Sequence, residues 1–210
     1  MFRQAVLDAA ERVFAAEGVH RARIQDIAKL ARVSVGTVYN HFAQKEDIIG
    51  ALLAERESEM LDAVMPRDDD PADFAGRFRR QTDRVLTLIS RHREFFKFAI
   101  YEGILESDIV PKGSVFAGHS TAFEDRYPGL LQLHLEQGMA EGAVEPGEAH
   151  RLQRFIAGAL RGVVLGALAD PELDPVEEGR FAVEMCLRAM RPATPSVCAE
   201  TARTARKNRR

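Results

Sequence analysis

The sequence predicts an all-α protein. Apolar residues recur at three- and four-residue spacing along nearly the whole chain, and no stretch shows the sustained apolar and polar alternation of a half-buried strand. The first 65 residues contain no proline, whereas nine prolines follow and divide the rest of the chain into segments of helical length. We therefore expect about nine helices in total, in a small N-terminal domain of three helices and a larger C-terminal helical domain.

Composition and charge narrow the class of protein. The chain has 210 residues, of which 46% are apolar and 29% charged, as in a globular domain rather than a disordered chain. Its net charge of −3 argues against a uniformly basic surface, and two cysteines are too few to staple a fold or bind zinc. The longest apolar stretch, Phe155–Ala169, is interrupted by Arg161 and is shorter than the roughly 20 residues of a membrane span. Because the N-terminus also carries a charge every few residues, unlike a signal peptide, we expect a cytoplasmic protein.

The first helices follow from apolar stripes and their end signals. The first stripe precedes Gly18, which is suited to end a helix in a left-handed conformation, and it consists of Val6, Leu7, Ala10, Val13 and Phe14. The second, shorter stripe consists of Ile24, Ile27, Ala28 and Ala31. Ser34 is suited to cap a third helix over Val35–Phe42, so the two short helices meet across the turn Arg32–Ser34.

The remaining helices lie between the breaks that proline introduces. A longer fourth helix is expected over Lys45–Met65, because its apolar spacing continues until Pro66. Further helices are expected near residues 72–91, 93–107, 114–126, 128–142, 148–169 and 174–191. We divide the chain into an N-terminal domain (1–46), a helical C-terminal domain (47–191) and a flexible basic tail (192–210), which is poor in aliphatic side chains.

The short helix pair around the turn has the build of a helix-turn-helix, whose second helix enters the DNA major groove. Residues 18–45 carry five Lys or Arg side chains against Asp26 alone, an excess that suits phosphate contacts. Spacing alone does not separate this motif from a structural corner, and the charge alone could mark a solvated basic face. The identities of the residues are more specific than either.

The residues from Ala10 to Leu53 closely resemble the N-terminal domain of the TetR family of bacterial transcriptional regulators. The shared positions are Phe14 and Gly18, Ile24-x-Asp26-Ile27-Ala28, Val33-Ser34-x-Gly36-Thr37-x-Tyr39-x-His41-Phe42, and Lys45-Glu46. The resemblance implies a DNA-binding transcriptional regulator, expected to be a repressor, that binds a near-palindromic operator as a homodimer and is released by a small-molecule effector.

Three positions depart from the pattern usual in the family. Ala22-Arg23 stands where Thr or Ser usually precedes the second helix, so Arg23 is expected to take over the phosphate contact. Arg32 stands where the turn usually has glycine, and it must adopt a left-handed backbone at modest cost. Gln44 replaces the usual capping residue of the fourth helix, which leaves that cap open.

The DNA contacts are expected to come from the third helix and from residues at its flanks. The candidate DNA-binding residues are Arg23, Ser34, Val35, Gly36, Thr37, Tyr39, Asn40, His41 and Lys45. Gly36 lets the backbone approach DNA closely, although it could instead relieve crowding between helices. Tyr39 and Lys45 suit phosphate oxygens.

The residues of the same helix also indicate which bases the protein recognises. No Arg or Lys lies between Val33 and Gln44, so the helix lacks the side chains that most often pair with guanine. It offers Val35 for a thymine methyl, Thr37 as an adaptable hydroxyl and Asn40 for adenine. We therefore expect direct readout to favour A·T pairs.

A dimer surface is expected on the last two helices, since one helix-turn-helix reads only a short half-site. Three glycines stand four residues apart on one helical face, each at a cost of about 1 kcal/mol relative to alanine, so close packing should compensate. The candidate interface residues are Gly158, Gly162, Gly166, Val183, Leu187 and Met190. Packing of the glycines within one subunit is the alternative. A four-helix bundle formed by two helices of each subunit is also what the resemblance implies.

The resemblance further implies an apolar effector pocket among the helices between about residues 60 and 165. Polar groups set among aromatic residues there could orient a small hydrophobic or amphipathic molecule. The candidate pocket residues are His92, Phe96, Tyr101, Glu102, His119, Phe123 and His134. For any one of them, a place in the core or on the surface is the alternative.

A helical enzyme and a protein-interaction module without DNA binding are the alternatives from other classes. The sequence has no glycine-rich phosphate loop, nucleophile elbow or metal-spaced set of His and Cys, so we expect no catalytic residues, metal or cofactor. An interaction module would require the match over residues 10–53 to be accidental. The expected partners are double-stranded operator DNA, a second copy of the chain and an unidentified effector, with no membrane.

Overall fold

The structure, a computed structural model, describes residues 2–101 and 122–192, and within these ranges the chain is all-α, as expected. Nine helices and no strands occur there. In chain order the helices are α1 (Phe2–Glu17), α2 (Ile24–Ala31), α3 (Val35–His41), α4 (Lys45–Val64), α5 (Phe74–Arg91), α6 (Arg93–Tyr101), α7 (Ala122–Ala140), α8 (Ala149–Ala169) and α9 (Pro175–Met190).

The first three helices pack around one small core, as their apolar stripes predict. α1 buries Leu7 and Phe14, and the two shorter helices contribute the fully buried Ile27 and Val38. α1 ends at Gly18, which has a φ of 75° and donates its N–H to the Phe14 carbonyl at 2.9 Å. The left-handed ending expected from the glycine is therefore present.

α4 joins this N-terminal core to the rest of the chain. The carboxylate of Asp47 accepts a hydrogen bond from the Gln44 backbone N–H at 3.1 Å, which provides the cap that the sequence left open. Leu52 of α4 lies in one continuous hydrophobic core with Leu88 of α5 and Phe95 of α6. α4 is thus a single helix of 20 residues between two parts of the molecule.

A second core lies in the C-terminal half, between α5, α7, α8 and α9. It contains Phe74 and Phe78 of α5, Leu135 of α7, Ile156 of α8 and Val183 of α9. Each helix contributes one apolar face, as the helical spacing of these residues predicts.

Pro128 does not separate two helices, and that prediction is wrong. It lies inside α7, which runs from Ala122 to Ala140. An internal proline removes one backbone hydrogen bond, but Leu131 and Leu135 downstream are buried and hold the helix against its neighbours. Most of the helix expected near 114–126, the end of the one expected over 93–107, and nearly all of the basic tail lie outside the described residues.

α8 is the one described helix that is long and apolar enough to cross a membrane, judged by length and composition alone. Such a single helix is weak evidence for a span, since helices of other proteins pass the same test, and Arg161 lies in its middle. Only 17% of its most apolar 18-residue segment is buried in the subunit.

Candidate functional site

α2, α3 and the turn between them build a helix-turn-helix. Arg32 has a φ of 57° and a ψ of 40°, the left-handed conformation expected at this position. Its N–H donates to the Lys29 carbonyl at 3.2 Å, and the Val33 N–H donates to the Ala28 carbonyl at 3.0 Å, the paired bonds of a Schellman ending. The turn therefore keeps its shape without glycine, at a cost of about 1–2 kcal/mol for the left-handed residue.

Ser34 fixes the beginning of α3. Its hydroxyl oxygen accepts a hydrogen bond from the Thr37 N–H at 3.0 Å and lies 2.8 Å from the Thr37 hydroxyl oxygen. This is the cap that the sequence predicts. The cap also holds both hydroxyl groups in place at the exposed end of the helix.

Gly36 is exposed, and no internal contact requires it to be glycine. A Cβ at this position would meet only the Ser34 hydroxyl oxygen, at an ordinary distance of 3.7 Å. Crowding between helices, the alternative role, is therefore not the reason for the glycine. Its missing side chain leaves the α3 backbone open to a molecule outside the chain.

The outer face of α3 carries Tyr39, Asn40 and His41, all of them exposed. Val38 beside them is fully buried and anchors the helix, whereas Val35 is half-buried and packs against the N-terminal core. Phenol, amide and imidazole groups can donate and accept hydrogen bonds without carrying a fixed charge. Such a face suits contacts to base edges and phosphates.

Three basic residues flank α3 in the chain, and they differ in how exposed their side chains are. Arg23 and Arg32 are exposed at the two ends of α2. Lys45 is half-buried, and its ammonium group donates to the carbonyls of Val19 at 2.5 Å and Ala22 at 3.2 Å. Lys45 therefore ties the start of α4 to the loop after α1, and one of its three N–H donors is left for a phosphate.

Arg3 is a basic residue near this site that sequence reasoning missed. Its guanidinium carbon lies 5.6 Å from the centroid of the Phe42 ring, a cation–π contact at the end of α3. Arg3 stands outside every motif, so its charge near the start of α1 was the one signal the sequence offered.

A buried charge cluster joins α1, α4 and the end of α5. Arg56 of α4 is 4% exposed and contacts Glu59 at 2.5 Å and Glu55 at 3.1 Å. Glu11 of α1 lies 3.6 Å from Arg56 and 3.1 Å from Nδ1 of His92. Three carboxylates thus surround one arginine at the junction of these helices.

His92, predicted to line an effector pocket, belongs to this cluster. Its Nε2 lies 2.7 Å from Nη1 of Arg56, which fits a neutral imidazole that accepts from Arg56 and donates from Nδ1 to Glu11. The partners lie 36 and 81 residues away in the chain, so no local pattern could reveal them.

A cleft of about 240 Å³ opens between the end of α4, α5 and α7. Its lining is mainly apolar, and the described residues contribute no charged side chain to it. The polar members of the lining are Gln81, Thr82, His134 and Gln137.

His134 is the most unusual of these polar residues. It is 8% exposed, and its ring lies 5.1 Å from the ring of Phe74. Burial lowers the pKa of His134 below its ordinary value, and the positive charge of Arg77 acts in the same direction, so the imidazole is neutral at neutral pH. Its Nε2 is buried without a hydrogen-bond partner.

Of the other predicted pocket residues, His92 and Phe96 are not in the lining of this cleft. Phe96 is buried in the core that α6 shares with α1, with its ring edge-on to Phe95. Tyr101 and Phe123 lie in α6 and α7 at positions whose side chains are outside the description. Glu102 and His119 lie outside the described residues altogether.

The predicted interface residues of α8 are exposed. A Cβ at Gly158, Gly162 or Gly166 would meet no described atom within 4 Å. Packing within the described part of one subunit therefore does not account for these glycines. Phe155 on the same helix is 59% exposed.

The predicted interface residues of α9 are wrong. Val183, Leu187 and Met190 are buried in the subunit's own core, because this side of α9 packs against α5 and α8. The exposed apolar residues of α9 are Phe181 and Met185, at 68% and 49%. We call the exposed set Phe155, Gly158, Gly162, Gly166, Phe181 and Met185 the α8–α9 face.

Comparisons with known proteins place this arrangement among regulators. The family described as bacterial regulatory proteins, tetR family, matches residues 6–52. The fatty acid metabolism regulator protein of Bacillus subtilis (strain 168) is 39% identical over 155 residues, which cover 71% of this chain and 74% of that protein. The HTH-type transcriptional regulator SrpR of Pseudomonas putida is 29% identical over 171 residues, or 79% of this chain and 73% of that protein.

Solved structures share the fold. The transcriptional regulator FadR from Bacillus subtilis in complex with stearoyl-CoA superposes with a TM-score of 0.69 at 20% identity, covering 88% of this chain and 97% of that chain.

The chain belongs to the TetR family of bacterial regulatory proteins. It is a DNA-binding transcriptional regulator with a helix-turn-helix domain. In the part of the chain that the structure describes, no group of three or more His, Cys, Asp or Glu residues is arranged to hold a metal ion.

Proposed function

We propose that this regulator is a repressor that binds a near-palindromic operator as a homodimer and releases it when a small hydrophobic or amphipathic effector binds its C-terminal domain. The observation that carries the DNA-binding part is the outer face of α3, where Tyr39, Asn40 and His41 are exposed beside a glycine that no internal contact requires. A small, firmly capped helix with such a face fits the major groove.

The contacts divide by chemistry. Arg23, Tyr39, His41 and Lys45 contact phosphates and fix the register, with the Ser34 hydroxyl beside them. Val35, Thr37 and Asn40 face base edges, and Gly36 allows the backbone to come close. In this proposal residues 1–46 bind DNA, residues 47–191 bind the effector and the second subunit, and residues 192–210 form a basic tail.

The second subunit covers the α8–α9 face. Isolated surface phenylalanines are common, but here Phe155, Phe181 and Met185 accompany three exposed helical glycines. Glycines permit close approach of two helices, so two α8–α9 pairs can form a four-helix bundle. The exposed side of α8 is then buried between protein subunits, and the two α3 helices can meet half-sites about 34 Å apart, one turn of DNA.

The effector acts through α4. The cleft with His134 lies at the far end of α4, beside Val64 and Met65, whereas Lys45 at the near end is bonded to the loop before α2. A molecule in the cleft that displaces the end of α4 would reposition the helix-turn-helix. The complex of the related Bacillus subtilis fold with stearoyl-CoA supports a small-molecule effector.

Gel-shift titration of the full chain with the DNA upstream of its own gene tests the DNA-binding part. We expect a retarded complex that survives an excess of scrambled DNA. Tyr39→Phe removes only a hydroxyl group, and it should weaken binding about tenfold or more, the usual value of a hydrogen bond to a charged group. An unchanged thermal unfolding curve would show that the variant is folded, and wild-type affinity in Tyr39→Phe would remove that contact from the proposal.

A further inference from the structure

The cleft beside His134 has a chemistry that restricts what it can bind. Its walls include Val64, Phe78, Leu131 and Leu133, with no charged side chain among the described residues that line it. The cleft has a volume of about 240 Å³. The apolar walls favour a hydrocarbon body of comparable size over water.

Buried polar groups without partners are rare, and Nε2 of His134 is one. The charged groups that act on the ring are Arg77 of α5, Asp70 before α5 and Glu141 after α7. Arg77 is itself paired with Glu141, at 2.5 Å. Nε2 of His134 is therefore an unpartnered nitrogen on a neutral imidazole in apolar surroundings.

The arginine next in the chain to the lining residue Val85 is also engaged. Arg84 donates to the carbonyls of Ala63 at 2.8 Å and Met65 at 3.0 Å, and it is paired with Asp70 at 2.5 Å. It holds the end of α4 and has its charge balanced. No charged side chain lines the cleft among the described residues, so a carboxylate or phosphate buried there would carry a large desolvation penalty without a cation in the lining to offset it.

We propose that this cleft takes an uncharged amphipathic ligand, whose apolar body lies between α4, α5 and α7 and whose hydroxyl or carbonyl group forms a hydrogen bond with the His134 ring. The inference rests on the effector role given above to the C-terminal domain and adds the ligand class. It also distinguishes this cleft from a site for an anionic thioester such as the one named for the Bacillus subtilis structure.

Calorimetric titration of the full chain without DNA tests the ligand class, with 1-octanol, octanoate and octanoyl-CoA as probes at pH 7.5. These probes share an eight-carbon chain and differ in the charge they carry. We expect 1-octanol to bind and the two anions to bind at least about tenfold more weakly. Octanoate or octanoyl-CoA binding as tightly as 1-octanol, or no binding of 1-octanol, would overturn the proposal.

His134→Phe tests the hydrogen bond. Phenylalanine keeps an aromatic ring against Phe74 and removes the unpartnered nitrogen, so the variant should be at least as stable as the wild type. Its affinity for 1-octanol should fall by between about twofold and tenfold, the range for one net hydrogen bond. A protein that gains stability while it loses ligand affinity has lost a binding group and not its fold.

Two further variants complete the test. His150 is exposed at the start of α8, so His150→Phe makes the same change away from the cleft and should leave the 1-octanol affinity unchanged. His134→Gln keeps hydrogen-bonding capacity and should retain more affinity than His134→Phe. Equal affinities in the wild type and His134→Phe would overturn the role of His134. Because no DNA is present, a failed gel shift would contradict the repressor proposal and leave this result standing.

Discussion

A substitution at Gly36 should affect the stability of α3 and its proposed contact with DNA in opposite directions. A methyl group there would meet only the Ser34 hydroxyl oxygen, at 3.7 Å, and alanine is favoured over glycine in a helix by about 1 kcal/mol. We expect Gly36→Ala to be as stable as the wild type or up to about 1 kcal/mol more stable in urea denaturation. Operator affinity should nevertheless fall about tenfold, a loss of about 1.4 kcal/mol, because the Cβ keeps the backbone away from DNA.

Gly129 provides the matched control for that substitution. It is an exposed glycine in α7 at which a Cβ would meet no described atom within 4 Å. Gly129→Ala should therefore change stability in the same direction and leave DNA binding alone. If Gly36→Ala bound the operator like the wild type, the backbone of α3 would not approach DNA closely.

Asn40 should decide which bases are read. A well-formed pair of an Asn amide with adenine provides about 1–3 kcal/mol of discrimination. Operators selected from random DNA by the wild type should have A·T pairs at the centre of each half-site, and Asn40→Ala should relax that preference at one position. Guanine-rich centres, or the same selected site for both proteins, would contradict this assignment.

The shifted pKa of His134 predicts a pH-dependent stability. An unfolded histidine titrates near 6.5, whereas burial holds the pKa of His134 lower in the folded protein. As pH falls through 6.5 the unfolded chain takes up a proton that the folded His134 does not, so unfolding becomes easier. In denaturation series from pH 7.5 to 5.5, the wild type should lose stability relative to His134→Phe. A constant difference between the two would contradict the neutral, buried state.

Sequence reasoning at this scale succeeded where the cause was local. The Ser34 cap and the left-handed Arg32 depend on neighbours within a few residues, and both were predictable. The hydrogen bonds of His92 were not predictable, because its partners Glu11 and Arg56 come from other helices. The hydrogen bonds of Lys45 were not predictable for the same reason, since the carbonyls that it contacts belong to the loop after α1.

At the scale of helices, the ion pair of Arg56 with Glu11 connects α4 to α1. Arg56→Met keeps much of the side-chain volume and leaves Glu11, Glu55 and Glu59 without their shared cation. Breaking a fully buried ion pair costs about 3–5 kcal/mol. Because Glu55 and Glu59 retain some exposure, we expect a loss of about 2–3 kcal/mol in urea denaturation.

Arg151 forms an exposed ion pair and serves as the control for Arg56→Met. It is paired with Glu148 at 3.2 Å, but both side chains are mostly exposed, at 71% and 60%. Arg151→Met should therefore cost less than about 1 kcal/mol. Similar losses for the two variants would mean that burial gives the α1–α4 cluster no special weight.

The faces of helices were harder to predict than the helices themselves. α9 is apolar on two sides, one with Val183 and Leu187 and the other with Phe181 and Met185. Periodicity marks both sides as apolar, but it does not say which side the subunit covers. The prediction that Pro128 separates two helices was wrong for a related reason. It considered the one backbone hydrogen bond that proline removes, and not the packing of the helix against its neighbours.

At the scale of the whole molecule, the α8–α9 face predicts a homodimer. Gly162→Leu adds a large side chain where a single subunit offers open space, so the subunit itself should fold. The same side chain would hold two closely packed helices apart. Light scattering should show a wild-type dimer at micromolar concentration and a shift of Gly162→Leu toward monomer.

Gly129→Leu is the corresponding control, since Gly129 is exposed on α7 and outside the α8–α9 face. It should remain dimeric. A monomeric wild type would contradict the interface, and a fully dimeric Gly162→Leu would place the contact elsewhere on the surface.

The unbroken length of α4 has a mechanical consequence. A helix of 20 residues is about 30 Å long, so a tilt of about 5° at one end moves the other end by about 2–3 Å. The end beside the cleft is held by Arg84 through the carbonyls of Ala63 and Met65, and the opposite end is bonded through Lys45 to the loop before α2. In the effector mechanism that we propose, a displacement of about 2–3 Å at Met65 would therefore be transmitted along α4 and would change the alignment of α3 with the DNA groove.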